Sequence, residues 1–448
     1  MLALAKLVLE KEMIYALIEA VRLSEEIKPS QDAKRRAFRK YGILGGKRDP
    51  LVTAVFYGIM KHLGVLDRMI EDIIGVEPLV LDPWLRAALR TVLEIIVFRD
   101  PSSKTIRLLD KPVAEFLSMK THPYIGMYYH RLFQSKLKSY SYNPTTKEAV
   151  IEYKYFLPSW YVEKIREILG DEAEQLFKSF DKPLPISIRV NTLKTSVGEV
   201  LEILRKEGKN PIVSKIVPTI IKFQGPYNFE KSPLWRKGLI VIQEEASALA
   251  SFILKPEPGM VVVDLAAAPG GKTEHMGELM KNRGRIYAFD INRLRMKRLK
   301  QIVSRAGLTI VKTYLKDGRE APRILGEEIA DRVLVDAPCS SDGTLMKNPD
   351  LRWRLRREKV EELSRLQYEL LEAGWRLLRK EGRLLYCTCS LLREENEDVI
   401  KKFMRKHSDA RIVELKGPYS PGLLRGTMRA WPHRHGTIGF FYALLEKK

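Results

Sequence analysis

Beyond about residue 238, short apolar runs alternate with stretches of helical periodicity. No other feature of the chain constrains its fold as much. The runs fall at 261–265, 285–290, 310–314, 332–336 and 383–387, with a last candidate pair of strands within 439–445. Strands that alternate with helices predict a parallel sheet wrapped by those helices. Ligands of such sheets gather outside the carboxyl ends of the strands, where the chain turns into the helices. Residues at those ends therefore carry the functional reading.

Upstream the pattern differs. Residues 1–140 read as all-helical, with apolar positions recurring at three and four, as in Leu51, Val55, Gly58, Met60 and Leu63. A second such run, Trp84 to Val97, follows Leu81-Asp82-Pro83, where Asp82 is suited to the N-cap and Pro83 to the first helical position. Ser139-Tyr140-Ser141-Tyr142-Asn143-Pro144 breaks the periodicity and reads as a linker. Then 184–193 and 212–223 read as strands with a helix over 196–207 between them, a small α/β unit. Three domains follow: an all-helical one at 1–140, a small α/β one at 150–232 and a larger α/β one at 238–448. There is no internal repeat and no low-complexity segment.

The first strand of the larger domain, Val261-Val262-Val263-Asp264-Leu265, runs into Ala266-Ala267-Ala268-Pro269-Gly270-Gly271-Lys272-Thr273 and then a helix. A glycine-bearing turn at this place presents free N–H groups and lets a ligand approach the backbone. Its spacing is neither G-x-x-x-x-G-K-[ST] nor G-x-G-x-x-G, so neither a nucleoside triphosphate nor a dinucleotide is the default ligand. Asp290 ends the second strand, 19 residues after Gly271. It is placed to accept hydrogen bonds from a ribose diol. Asp317 follows the third strand and Asp336 ends the fourth. Carboxylates at successive strand tips suit a nucleoside carrying a cationic group, and S-adenosylmethionine is such a ligand. The plainer alternative is that each Asp caps the helix after it.

Only three cysteines occur in 448 residues, which excludes a disulfide-stapled secreted framework. No run of about 20 apolar residues predicts a membrane span. The apolar start Met1-Leu2-Ala3-Leu4-Ala5 is broken too early, by Lys6, Glu10, Lys11 and Glu12, for a signal peptide. A cytoplasmic, reducing location and free thiols are expected. All three cysteines lie at or just past two strand ends: Cys339 in Asp336-Ala337-Pro338-Cys339-Ser340-Ser341, Cys387 and Cys389 in Tyr386-Cys387-Thr388-Cys389-Ser390. With no C-x-x-C pair and few histidines nearby, no metal site is expected. Strand alternation assigns Cys387 to the core, while Cys339 and Cys389 stand where functional groups collect.

A thiol beside a methyl donor suggests one chemistry above others. Carbon 5 of cytosine is a poor nucleophile until a thiolate adds to carbon 6. A carboxyl group near the pyrimidine's nitrogen 3 or exocyclic amine then stabilises the adduct. The base must leave its stack, so single-stranded or flipped RNA is the natural acceptor. The net charge of +22 agrees with a polyanionic partner.

The segments Asp264 to Thr273, Asp336 to Ser341 and Thr388-Cys389-Ser390 together resemble the Nol/Nop/Sun family of RNA cytosine-5 methyltransferases. Arg189-Val190-Asn191-Thr192-Leu193-Lys194 is similar to that family's signature before the catalytic domain, and Gln243-Glu244-Glu245-Ala246-Ser247 to the segment before its first strand. Arg429, Pro432, His433 and Gly439-Phe440-Phe441 are similar to its closing motif. The family often has Cys where Ala266 stands. The resemblance covers about 150–448 and implies a Rossmann-like class I methyltransferase domain that uses S-adenosylmethionine. It implies that Ala266, Ala267, Ala268, Pro269, Gly270, Gly271 and Lys272 wrap the methionine part. Asp290 holds the ribose with Arg295 behind it, and Asp317 holds the adenine amine. Asp336 faces both cofactor and cytosine, Cys389 is the nucleophile, and Cys339 assists product release. The residues alone do not decide between the two thiols; the resemblance does. Lys272 is placed to orient or acidify groups at the site.

Residues 1–140 resemble a NusB-like helical domain through Ala37-Phe38-Arg39-Lys40-Tyr41, Arg48, Ala54-Val55-Phe56-Tyr57-Gly58 and the 85–98 helix. The resemblance implies RNA binding, and Lys34, Arg35, Arg36, Arg39 and Lys40 are the candidate phosphate contacts. The expected substrate is ribosomal or transfer RNA, and the expected state is a monomer. Two other functions fit the same sequence: the same fold methylating another acceptor, which needs no thiol, and a non-catalytic RNA-assembly factor.

Overall fold

A computed structural model describes residues 6–448, so the apolar start at 1–5 lies outside the described residues. The chain divides into two compact units, one of residues up to Lys164 with Asn348–Arg354, the other of Ile165–Lys347 with Leu355–Lys448.

The first unit is helical: α1 (Lys11–Glu26), α2 (Ser30–Lys40), α3 (Asp49–Ile74), α4 (Pro83–Phe98), α5 (Ser103–Leu108), α6 (Lys111–Lys120), α7 (Pro123–Ser135) and α8 (Lys147–Tyr155). Amphipathic periodicity explains the packing: Ile14, Leu17, Ile18 and Val21 of α1 meet Val55, Ile59, Leu89 and Val92 in one core. Asp82 caps α4 as expected, its Oδ1 accepting from Trp84 N at 2.8 Å and Leu85 N at 3.1 Å. The predicted linker is tied down, because Tyr140 and Tyr142 pack on this core and the Tyr140 hydroxyl donates to Asp72 at 2.8 Å. The basic segment on α2 differs from expectation. Lys34 is buried, because the helix turns that side inward; Lys40 is exposed but engaged with Glu19 at 2.7 Å, and Arg35, Arg36 and Arg39 are exposed. Among the described residues, no helix is long and apolar enough to cross a membrane.

The second unit holds two sheets. The smaller contains β1 (Ile186–Val190), β2 (Ile212–Val213), β3 (Ile220–Phe223) and β4 (Ile240–Ile242), in the order β2-β3-β1-β4, all antiparallel. The helix Val197–Lys206 begins with a capping box between Ser196 and Glu199. The single strand expected at 212–223 is two strands, since Ser214 Oγ accepts from Ile216 N at 3.0 Å and Val217 N at 2.8 Å and turns the chain.

The larger sheet contains β5 (Val261–Asp264), β6 (Arg285–Phe289), β7 (Val311–Tyr314), β8 (Ala330–Asp336), β9 (Leu378–Thr388), β10 (Ala410–Val413), β11 (Ser420–Pro421), β12 (Met428–Ala430) and β13 (Phe440–Lys447). Its order is β11-β12-β13-β9-β8-β5-β6-β7, with β10 beside β13. The β7-β6-β5-β8-β9 portion is parallel, as expected. The sheet as a whole is mixed, however, because β13 runs antiparallel to β9. The expected pair within 439–445 is this one strand; a continuous apolar run reads alike in either direction. In the β8–β9 register Asp336 lies opposite Cys387, which brings the turns after these strands together.

Candidate active site

The loop after β5 is held by its neighbours. Ala267 N donates to Phe289 O at 2.8 Å and Ala268 N to Asp290 Oδ2 at 3.1 Å, while Arg295 donates to Ala268 O. Gly270 has φ +111°, and a Cβ there would meet Leu299, so the turn into the helix Gly271–Leu279 requires glycine. Gly318, after β7, comes so close that a Cβ would lie 2.3 Å from Leu265 O. These two approaches bring the tips of β5, β6 and β7 around one cleft of about 520 Å³.

The cleft is lined by Ala266, Lys272, Asp290, Arg295, Asp317, Asp336, Cys339 and Cys389 among the residues singled out from sequence. Ala267, Ala268, Pro269, Gly270 and Gly271 do not line it; they shape the loop from behind. Ser247, Ser341 and Phe440, which the sequence offered only as parts of the resembling motifs, also line it, as do Ile291, Asn292 and Thr344, which sequence reasoning missed. Asp290 accepts Asn292 N at 2.8 Å with its other oxygen. Asp317 accepts Arg319 N at 2.9 Å and pairs with the Arg319 guanidinium at 2.6 Å, which holds its carboxyl below the usual range. Asp317 thus does cap the turn after it, as well as facing the cleft. For a nucleoside with a cationic group the fit is good. Three carboxylates converge on one space, and Ile291, 73 % exposed at its edge, offers an apolar face to a base.

Lys272 Nζ lies 2.6 Å from Asp336 Oδ2. Burial pulls the Lys272 ammonium down, but Asp336 and the thiols of Cys387 and Cys389 outweigh it and hold the charge. Cys387 is fully buried, as strand alternation predicts, and its thiol lies 3.5 Å from Asp336 Oδ1. Cys339 Sγ and Cys389 Sγ are 3.4 Å apart and both are free thiols. Ser341 Oγ lies 3.4 Å from Cys389 Sγ and 3.9 Å from Cys339 Sγ. The hydrogen bond from Cys339, helped by Ser341 and Lys272, lowers the Cys389 thiol against the effect of burial. The same bond, with burial, raises Cys339 well above the ordinary thiol range. The two shifts run in opposite directions, so of the pair Cys389 is the thiol more readily deprotonated and Cys339 the one that keeps its proton.

Beneath the thiols, a carboxyl pair ties the two cysteine turns together. Glu395 accepts Ser340 N at 2.9 Å and Gln367 Nε2 at 3.0 Å, and Ser340 Oγ also donates to it. Asp342 accepts Leu391 N at 3.0 Å and shares the Ser340 hydroxyl at 2.9 Å. Burial first, and Asp342 second, push Glu395 up to about 7. The Glu394-Glu395-Asn396-Glu397 run carried this signal in sequence, but only folding shows where it points. Arg189 does similar work on the other side: it donates to Gly271 O at 2.8 Å and Glu278 Oε1 at 2.9 Å, and to Gln243, joining β1 to the start of the helix after the loop.

Asp264 is fully buried, and burial, with Asp336, raises its carboxyl to about 7. The unfolded chain ionises near 3.8, so this group's stabilisation is present at low pH and is lost as pH rises toward about 7. Asn keeps an acceptor for the Thr273 hydroxyl, which donates to Asp264 at 2.7 Å. Relative to the parent chain, Asp264→Asn should gain about 2–4 °C in Tm between pH 5 and pH 8. An unchanged difference in thermal melts would mean the carboxylate is ionised in the fold.

Residues 251–446 match the family model "16S rRNA methyltransferase RsmB/F", and residues 157–230 match the ferredoxin-like domain of RsmF/B-like methyltransferases. The ribosomal RNA small subunit methyltransferase B of Yersinia pseudotuberculosis is 33 % identical over 294 residues, 66 % of this chain and 67 % of that one. The crystal structure of the protein PH0851 is 55 % identical, with TM-score 0.92 over 99 % of this chain and all of that one. NSun6 from Pyrococcus horikoshii with SFG is 27 % identical, with TM-score 0.60 over 64 % of this chain and 97 % of that one.

Proposed function

Since this chain belongs to the RsmB/F (Nol/Nop/Sun) family of S-adenosylmethionine-dependent RNA methyltransferases, we propose that it methylates carbon 5 of a cytosine in ribosomal or transfer RNA through a covalent Cys389 adduct. The observation that carries this reading is the pair of thiols 3.4 Å apart in a cleft also lined by Asp290, Asp317 and Asp336. A cofactor cleft alone would serve any methyl acceptor; a thiolate with a second thiol beside it is needed only where the ring must be activated and then released.

S-adenosylmethionine, when bound, supplies the electrophilic methyl group. Asp290 and Asp317 are placed to hold its nucleoside, with Arg295 fixing the loop behind, and Ala266 and Lys272 border the remainder. Cys389 adds its thiolate to carbon 6 of the cytosine, forming the Sγ–C6 bond and making carbon 5 nucleophilic. Asp336, kept in place by Lys272, hydrogen-bonds the pyrimidine edge and stabilises the adduct. After methylation, water in the open cleft takes the proton from carbon 5, the freed electron pair re-forms the C5–C6 double bond, and the Sγ–C6 bond breaks, returning the Cys389 thiolate. Cys339 lies close enough to exchange a proton with that sulfur and so to assist release.

The test is methylation in vitro of a small-subunit ribosomal RNA transcript and of a transfer RNA pool, with nucleoside mass spectrometry. 5-Methylcytosine in one of them is expected; a methyl group on an exocyclic amine, or none on RNA, overturns the reading. The net charge of +22 adds a second expectation. RNA affinity should fall by about 100-fold or more between about 50 and 200 mM salt. Filter binding that stays flat over that range would contradict a phosphate-tracking surface.

A further inference from the structure

The charge of the helical unit is unevenly spread. Residues 1–145 carry a net +7, of which +5 falls within 101–145. That stretch includes α5, α6 and α7, and α7 contains no acidic residue. Its exposed face is unusual for a helix on a compact unit. Tyr124 is 73 % exposed, Met127 51 % and Tyr128 42 %, and Arg131 completes the row. Positions 124, 128 and 131 are separated by four and three residues, so they form one continuous strip. Every other Phe, Tyr and Trp side chain among the described residues is buried or half-buried.

The strip is preset. His122, also exposed, stacks on Tyr124 with ring centroids 5.0 Å apart and planes 22° from parallel. On the opposite face, Gly126 lets α7 approach α6 so closely that a Cβ would lie 2.3 Å from Ala114 O, and the buried Tyr129 hydroxyl donates to Leu109 O. His130 and Gln134, one step around the helix, are held by Asp110 at 2.6 Å. No carboxylate comes within ion-pair distance of Arg131 among the described residues. Rigid aromatic faces beside an unpaired guanidinium have the chemistry that receives unpaired bases and the phosphates between them. A protein partner would want an apolar strip without the surplus cations.

We propose that the exposed face of α7, from His122 through Tyr124, Met127 and Tyr128 to Arg131, is a stacking platform for a single-stranded segment of the RNA substrate. This deepens the reading of the chain as an RNA methyltransferase and rests on it. The platform recognises unpaired bases without needing their sequence, so it supplies affinity and leaves selection of the target cytosine to the cleft.

The test uses the full chain and a fluorescein-labelled single-stranded oligoadenylate of 12 nucleotides, with a 12-base-pair RNA duplex as control, in fluorescence anisotropy. The double variant Tyr124→Ala/Tyr128→Ala is expected to weaken single-strand binding about tenfold or more, with duplex binding changed less than about twofold. Tyr124→Phe/Tyr128→Phe should bind like the parent, because stacking needs the ring and not the hydroxyl. On methylated RNA, the alanine pair should raise KM and leave kcat in place. Unchanged single-strand binding by the alanine pair, equal losses on strand and duplex, or failure of the phenylalanine pair would each overturn the platform. Unchanged RNA binding with loss of a protein partner would assign the strip to that partner instead. If no RNA is methylated yet the strand-specific loss persists, it is the proposed reaction that fails and the platform that stands.

Discussion

Cys389→Ala is expected to lower methyl transfer to RNA by about 10⁴-fold or more, while binding of S-adenosylmethionine changes little. The size follows from the chemistry. Carbon 5 has no other activated route to the methyl group, so removing the thiolate removes the step and not merely a contact. Cys389 lines the cleft from the turn after β9, on the far side of Asp336 from Asp290 and Asp317. Calorimetry with the cofactor therefore separates loss of chemistry from loss of fold. Retained turnover would mean that the acceptor needs no thiol, and would favour methylation of an exocyclic amine or a protein group by the same fold.

Arg429→Ala should destabilise the protein by about 3–5 kcal/mol, the largest stability effect expected from one substitution here. Arg429 of β12 and Glu397 are both essentially without exposure. Arg429 Nε donates to Glu397 Oε1 at 2.7 Å and Nη1 to Leu391 O at 2.8 Å, two residues past Cys389. Truncation strands the Glu397 carboxylate in the interior, with Leu423 N still donating to it at 3.1 Å. Arg429→Lys should recover only part of the loss, because an ammonium cannot form the bidentate pair and still reach the carbonyl. Denaturant unfolding followed by circular dichroism checks both. A cost below about 1 kcal/mol for the alanine variant would mean that water or a rearranged side chain satisfies Glu397.

Much of the cleft was legible before folding because it is built from strand ends. Asp290, Asp336, Cys339 and Cys389 each sit where an apolar run stops, so their shared edge follows from strand–helix alternation alone. The seven-residue loop was legible as a turn. Its inner workings were not, since only Ala266 and Lys272 line the cleft, and which side a loop residue shows is set by neighbours such as Leu299 and Asp290. Glu395 and Asp342 were illegible for the same reason: the backbone N–H groups they hold, of Ser340 and Leu391, lie about 50 residues away, across two turns that only the β8–β9 register aligns. The direction of β13 could not be read, because Phe440 to Leu445 are apolar on both faces whichever way the strand runs. On α2 the positive charge was visible but its facing was not, and Lys34 turned inward. The exposed strip on α7 escaped notice because aromatic residues at helical spacing ordinarily mark a core face.

The covalent step can be observed directly. Incubated with RNA and S-adenosylmethionine, Cys339→Ala should form the Sγ–C6 bond and release it slowly, so a protein–RNA species of reduced mobility should accumulate on a denaturing gel. The species should be absent from Cys389→Ala and from the double variant, and peptide mapping should place the cytosine on Cys389. An adduct that forms in Cys389→Ala and vanishes in Cys339→Ala would reverse the two roles and contradict the assignment of Cys389 as the nucleophile.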